Sequence, residues 1–115
     1  MSDQLRADDD VHVVRLSDLN HLRGRHVSAL VVIDATRDDP PTLPQLAQIV
    51  LLRRRLRGAG GDLVIAASPA TAALLRGSGL HWTVPCCLDV SVAIAAVRRG
   101  HARGRTQQEA GLASW

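Results

Sequence analysis

The chain contains no lysine, because all 14 of its basic residues are arginines. Cationic chemistry must therefore fall to arginine, and a mechanism that depends on a lysine side chain is excluded. Residues 1–97 hold ten Arg and ten Asp, so the formal net charge of +3 comes wholly from residues 98–115, with four Arg and one Glu. A basic excess confined to one Gly-containing end does not form a charged face on the fold, and we expect no nucleic-acid partner.

Cysteine is nearly absent. The only two cysteines, Cys86 and Cys87, are adjacent, so in a strand their side chains would point to opposite faces and a bridge between them would be strained. No other thiol is present to complete a metal site. We expect both to be reduced and to act as small buried hydrophobic residues.

Long hydrophobic runs are also missing. No uninterrupted apolar stretch approaches the ~20 residues that cross a bilayer, and the start, MSDQLRADDD, is acidic where a signal peptide is basic and then apolar. We therefore expect a cytoplasmic protein without direct membrane insertion. With 115 residues, 46% of them apolar, the chain can bury the core of one domain.

The hydrophobic pattern predicts an α/β fold. We divide the chain into a disordered acidic N-terminus at 1–10, one domain at 11–98 and a basic flexible tail at 99–115. Strands are predicted at 11–17, 27–35, 62–67 and 82–87, and helices at 43–57, 69–77 and 89–100. The second strand is almost continuously apolar, as expected when helices cover both faces of a sheet. The strand–helix–strand order favours parallel crossovers.

Helix-start and helix-stop residues support the predicted boundaries. Thr42 can cap the first helix, Pro44 suits its first turn, and the glycine-rich segment 58–61 ends it. Ser68 is a candidate N-cap for the next helix, and its position also permits contact with an anion or a nucleotide. Asp89 or Ser91 can cap the last helix, while Pro85 disfavours a central place for the fourth strand.

Acidic residues lie at the end of the second strand and just after it. Asp34, Asp38 and Asp39 suggest a magnesium site, and the strand endings "DAT" and "AAS" are similar to two motifs of haloacid dehalogenase-like phosphotransferases. That family, however, has a second acid where Thr36 stands and uses a lysine that this chain lacks. We expect a solvated turn in which the Asp side chains cap the backbone. The histidines at 12, 21, 26, 81 and 101 show no paired ligand spacing, so we expect no metal.

The segment "RRRLR" at 53–57 lies on the first predicted helix. At helical spacing Leu46, Ile49, Leu52 and Leu56 form one apolar stripe, which Arg53 borders. Arg54 and Arg55 point outward with Leu51 between them. Most such runs are solvated helix faces and fewer contact nucleic acid. A third possibility is a protein-binding patch, because an exposed leucine flanked by arginines is typical of one.

From Val31 to Val97 the chain resembles a STAS domain, the sulfate transporter and anti-sigma factor antagonist family. The shared order is a strand ending in Asp, a loop, a helix, a double glycine, an apolar strand, a Ser-Pro helix, a "GL" turn and a closing helix. The resemblance implies a STAS-like single domain with a mixed sheet of about four strands backed by helices.

The chain departs from this family at the loop before the first helix. Family members regulated by phosphorylation read Asp-Ser-Ser-Gly there, and the second serine accepts the phosphate. Those four places fall on Thr42, Leu43, Pro44 and Gln45. Pro44, at the acceptor position, has no hydroxyl, so the usual addition of about −1.5 to −2 charge cannot occur there. For Thr42 we favour helix capping over phosphorylation.

The resemblance implies a non-enzymatic bacterial regulatory binding module, like an anti-sigma factor antagonist, whose partner is an anti-sigma kinase or another regulator. It needs no cofactor. Two alternatives stay open, namely an accessory subunit of a membrane transport ATPase and a magnesium-dependent phosphotransferase. The oligomeric state is not predicted. The residues expected to bind the partner are Thr42, Leu43, Pro44, Gln45, Leu51, Arg54 and Arg55.

Overall fold

The computed structural model describes residues 10–22, 29–37 and 39–100, without the side chains of His21, Leu22 and His81. The predictions made for residues 1–9, for Asp38 and for the tail from 101 onward lie outside these residues, as do those for His26 and His101.

The described chain is an α/β fold with one four-stranded sheet, as predicted. The strands are β1 (Val11–Arg15), β2 (Leu30–Ala35), β3 (Asp62–Ala67) and β4 (Cys86–Cys87). The α-helices are α1 (Leu43–Gly58), α2 (Pro69–Gly77) and α3, which is described over 90–100, and two 3₁₀-helices span Leu16–Leu22 and Leu80–Trp82.

The strands follow the order β1-β2-β3-β4, and every pairing between them is parallel. The expectation of a mixed sheet is therefore wrong for the described strands. The physical reason lies in the connections. A parallel neighbour needs a crossover of about a dozen residues or more, whereas an antiparallel one can follow a short hairpin. Each strand here is separated from the next by such a crossover segment, and these segments contain the first 3₁₀-helix, α1 and α2.

Two layers of apolar side chains cover the two faces of the sheet. On one face Val31, Ile33 and Ala35 of β2 belong to a buried cluster with α1, α2 and the first 3₁₀-helix. On the other face, Leu30 and Val32 belong to a second cluster, to which α3 contributes Ala93, Ile94 and Val97. Alternate residues of β2 thus face opposite layers, which explains the nearly continuous apolar run.

β1 and β4 are shorter than predicted, and β2 begins only at Leu30, after Ala29. β1 ends at Arg15 because Leu16 and Leu19 turn into the core from a 3₁₀-helix. β4 contains only Cys86 and Cys87, and the chain before it forms the second 3₁₀-helix. Pro85 has no N–H, but its carbonyl accepts a hydrogen bond from the Ile65 N–H at 2.9 Å. β4 lies at the sheet edge, as Pro85 predicted.

The two thiols lie on opposite faces of β4, as expected for adjacent strand residues. Cys86 packs against the cluster that contains α1, and Cys87 against the cluster that contains α3. Both are free cysteines and half-buried, so the expectation of buried side chains is correct only in part. Burial raises the pKa of the Cys86 thiol and also that of the Cys87 thiol. The protonated form is therefore favoured in both, which fits a packing role.

α1 is followed by glycines because the backbone at Gly61 passes very close to the backbone at Ala29. A Cβ atom on Gly61 would lie 1.9 Å from the carbonyl oxygen of Ala29. That same oxygen accepts a hydrogen bond from the Asp62 N–H at 2.9 Å. Gly60 adopts a φ of 90°, which favours glycine. The end of α1 is thereby joined to the start of β2 and β3.

The ends of the described domain are linked by an ion pair. The Arg98 side chain, on α3, donates to the Asp10 carboxylate through Nε at 2.9 Å and through a terminal nitrogen at 2.5 Å. This hydrogen bonding is the main cause that lowers the pKa of Asp10. α3 itself begins at a cap formed by Asp89, whose carboxylate accepts from the Ser91 and Val92 N–H groups at 2.7 and 3.2 Å, as predicted.

Candidate functional site: the outward face of α1

Thr42 and Gln45 begin α1 with a reciprocal capping box. The Thr42 hydroxyl accepts from the Gln45 N–H at 3.3 Å, and the Gln45 side-chain oxygen accepts from the Thr42 N–H at 2.9 Å. Two backbone donors that a helix start leaves without partners are thus satisfied. Pro44 follows as the second helical residue, in the first turn. The predicted capping role of Thr42 is confirmed.

The outward side of α1 carries a line of apolar side chains, which we call the α1 ridge: Leu43, Pro44, Ala47 and Leu51. All four are exposed, with Leu43 at 81% and Leu51 at 56%. They recur at steps of three and four along a helix that rises about 1.5 Å per residue, so they share one side over about 12 Å. Leu46, Ile49 and Leu56 fill the opposite, buried side.

Two arginines continue the outward side beyond the ridge. Arg54 and Arg55 are exposed and lie about one turn past Leu51. Among the described residues, neither guanidinium has a hydrogen-bond or ion-pair partner. α1 contains no Asp or Glu along its length. The helix therefore presents an apolar N-terminal half and a basic C-terminal half to solvent.

Arg53 has a different role from its neighbours. Its Nε donates to Oδ1 of Asp62 at 3.0 Å, and the two side chains are only 15% and 14% exposed. A terminal nitrogen of Arg53 also donates to the carbonyl of Thr83. The residue thus ties α1 to the first residue of β3 and to the loop before β4. The sequence placed Arg53 at the border of the stripe but had no signal for these partners.

A groove of about 830 Å³ lies beside the N-terminal half of the ridge. The Gln48 side-chain amide donates to the Asn20 side-chain oxygen at 2.9 Å and connects the first 3₁₀-helix to α1. The lining residues are Asn20, Thr42, Pro44, Gln45, Ala47 and Gln48. Helical spacing from Pro44 could have predicted Ala47 and Gln48, but Asn20 comes from a distant segment and carried no such signal.

Most of the predicted binding residues lie together. Leu43, Pro44, Leu51, Arg54 and Arg55 occupy the exposed side of α1. Thr42 and Gln45 lie at its start, where their polar atoms are engaged in the cap.

Ser68 lies apart, at the start of α2. Its hydroxyl accepts from the Thr71 N–H at 3.3 Å and donates to the Thr71 hydroxyl at 3.2 Å. The predicted capping role is confirmed, and its contact with an anion stays a prediction.

At the end of β2, Asp34 caps the backbone, as expected for this residue. Oδ1 of Asp34 accepts from the Thr36 N–H at 3.1 Å and from the Thr36 hydroxyl at 2.6 Å. Asp39 is exposed. Within the ranges that the structure describes, no three His, Cys, Asp or Glu side chains come together as a metal site.

The topology offers no strand-order reversal among the described strands. Doubly wound α/β sheets bind ligands in a crevice where the order of strands reverses. Here the order runs from β1 to β4 without a reversal. The crevice in which doubly wound sheets bind ligands is therefore not formed by the described strands.

No family model, curated protein or solved structure matches this chain. The resemblance to STAS domains stays a prediction from the sequence pattern. In the described part of the chain, no helix is both long enough and apolar enough to span a bilayer.

Proposed function

We propose that the protein is a non-enzymatic regulatory binding module of the bacterial cytoplasm that docks a protein partner through the outward face of α1. The observation that carries this proposal is the α1 ridge, with Leu43 and Leu51 exposed on one side of a well-capped helix. Fully burying a leucine side chain contributes about 1.5–3 kcal/mol, so two such residues can supply the apolar centre of an interface.

The module resembles an anti-sigma factor antagonist that has lost the usual phosphate acceptor. Pro44 stands in the first turn of α1, where an acceptor serine is expected from the resemblance. Proline has no hydroxyl to esterify, and the neighbouring Thr42 hydroxyl is engaged in the cap. The module is therefore held in one binding state, and its activity follows its abundance or that of its partner.

The test is affinity capture from the source cell with quantification of bound proteins by mass spectrometry. Leu51→Asp places a charge in the ridge, and we expect it to remove the partner. The matched control is Leu74→Asp on α2, because Leu74 is also an exposed leucine, at 42%. Retention of every bound protein by Leu51→Asp, or equal losses in both variants, would contradict the proposal.

A separate experiment tests whether the loop before α1 escapes phosphorylation and so holds the module in one binding state. The protein is incubated with ATP and the kinases that co-purify with it, and we expect no stoichiometric phosphate in residues 36–45 by mass spectrometry. A phosphothreonine at Thr36 or Thr42 in most molecules would show that the loop is switched after all.

A further inference from the structure

Four arginines of the described chain differ in their partners. Arg53 and Arg98 each hold a carboxylate, that of Asp62 or that of Asp10. Arg54 and Arg55 are exposed beside the α1 ridge and have no carboxylate partner among the described residues. Asp62, which contacts α1 through Arg53, does not compensate for them, because its carboxylate is already engaged. Two exposed arginines thus lie at one end of an apolar ridge.

Resting on the proposed function, we propose that the partner segment bound by α1 is acidic and amphipathic. Its apolar side chains lie on the ridge, and its carboxylates meet Arg54 and Arg55. The ridge and the arginine pair together extend over about 18 Å at the helical rise per residue, which matches three to four turns of a partner helix. Such a segment complements the face in both charge and hydrophobicity.

A nucleic-acid ligand fits this face less well. Binding to a phosphate backbone uses cations distributed along the surface, and binding to single strands adds stacked aromatic side chains. On α1 the cations are at one end, the remainder of the exposed side is Leu43, Pro44, Ala47 and Leu51, and the helix has no aromatic residue. Protein interfaces, in contrast, combine an apolar centre with arginine.

Arginines near a helix C-terminus also interact favourably with the helix dipole. That role concerns the stability of α1 and does not depend on any ligand. The two roles are therefore separated by measuring binding and thermal unfolding on the same variants.

The probe is a helical peptide of sixteen residues, which is the length of α1. One half of the peptide carries leucines on one side of the helix. The other half carries three glutamates on that same side. A second peptide has glutamine in place of each glutamate. Binding is measured by fluorescence anisotropy. We expect the glutamate peptide to bind about tenfold more tightly at low salt, because several exposed ion pairs contribute together. This difference should shrink as salt screens the charges.

The double variant Arg54→Glu with Arg55→Glu should remove the preference, and Arg54→Gln with Arg55→Gln should reduce it without reversing the charge. The control is Arg76→Glu with Arg99→Glu, which changes net charge equally at exposed sites away from α1. We expect this control to retain the preference.

Equal binding of the two peptides, or no binding of the glutamate peptide, would overturn the inference. So would tight binding of a single-stranded oligonucleotide that depends on Arg54 and Arg55. The proposed function is judged independently by the capture experiment. If the cellular partner is lost with Leu51→Asp but retained with Arg54→Glu and Arg55→Glu, the docking surface stands and the acidic partner does not.

Discussion

Arg53 should be far more important for stability than the arginine beside it. In the variant Arg53→Gln, the carboxylate of Asp62 loses the guanidinium at 3.0 Å and keeps the N–H of Leu63 at 2.7 Å. The carbonyl of Thr83 loses its side-chain donor as well. The matched variant Arg54→Gln removes an exposed guanidinium that has no described partner.

The magnitude follows from burial and charge. Hydrogen bonds to charged groups contribute about 1.5–3 kcal/mol each, and a fully buried broken pair costs more. The Arg53 and Asp62 side chains retain 15% and 14% exposure, so water can partly solvate the remaining carboxylate. We therefore expect Arg53→Gln to lower the free energy of unfolding by about 2 kcal/mol, or the melting temperature by about 10 °C for a domain of this size. Arg54→Gln should stay within about 0.5 kcal/mol of the parent.

Urea denaturation followed by circular dichroism measures the free energy of unfolding of Arg53→Gln and of Arg54→Gln. A double-mutant cycle with Asp62→Asn should give a coupling energy of about 1 kcal/mol between residues 53 and 62. If Arg53→Gln destabilises the protein no more than Arg54→Gln does, the tie between α1 and β3 does not contribute as described.

Three further predictions concern local features. Thr42→Ala should cost about 1 kcal/mol of stability in thermal unfolding, whereas Thr42→Ser should be close to neutral because it retains the capping oxygen. Gly61→Ala should lower the free energy of unfolding by more than about 2 kcal/mol, because the new Cβ would lie 1.9 Å from a backbone oxygen. The control Gly58→Ala should not destabilise the protein, because a Cβ there meets no atom within 4 Å. Equal effects of the two variants would contradict the reasoning. At about pH 8, iodoacetamide should modify Cys86 and Cys87 more slowly in the folded protein than in urea, measured by mass spectrometry, because a raised pKa lowers the thiolate fraction.

The features that were predictable from the sequence are those encoded by neighbouring residues. The steps of three and four from Leu46 to Leu56 indicated the buried side of α1, and hence its exposed side. Thr42 and Ser68 marked the helix starts, because their capping oxygens act on residues three places along the chain. β2 and β3 were evident as apolar runs that helices cover on both faces.

The features that were not predictable depend on distant partners. Helical spacing places Arg53 at the border of the buried stripe, but only the folded chain brings it to Asp62 and Thr83. The groove joins Asn20 to α1 across 28 positions. The mixed sheet was expected from a resemblance and not from a hairpin signal, and the described strands pair in parallel instead. The short β4 follows from Pro85 and from a 3₁₀-helix that the apolar pattern did not distinguish from a strand.

The pair between Asp10 and Arg98 has a practical consequence for protein engineering. These residues are separated by 88 positions, yet their side chains touch. Domains whose ends lie close together tolerate insertion into a loop of a host protein. They also tolerate circular permutation, in which the two ends are joined and the chain is opened at another loop. Residues 10–98 could therefore be grafted into a reporter enzyme through two short linkers, so that occupancy of α1 is read out as a change in the reporter's signal.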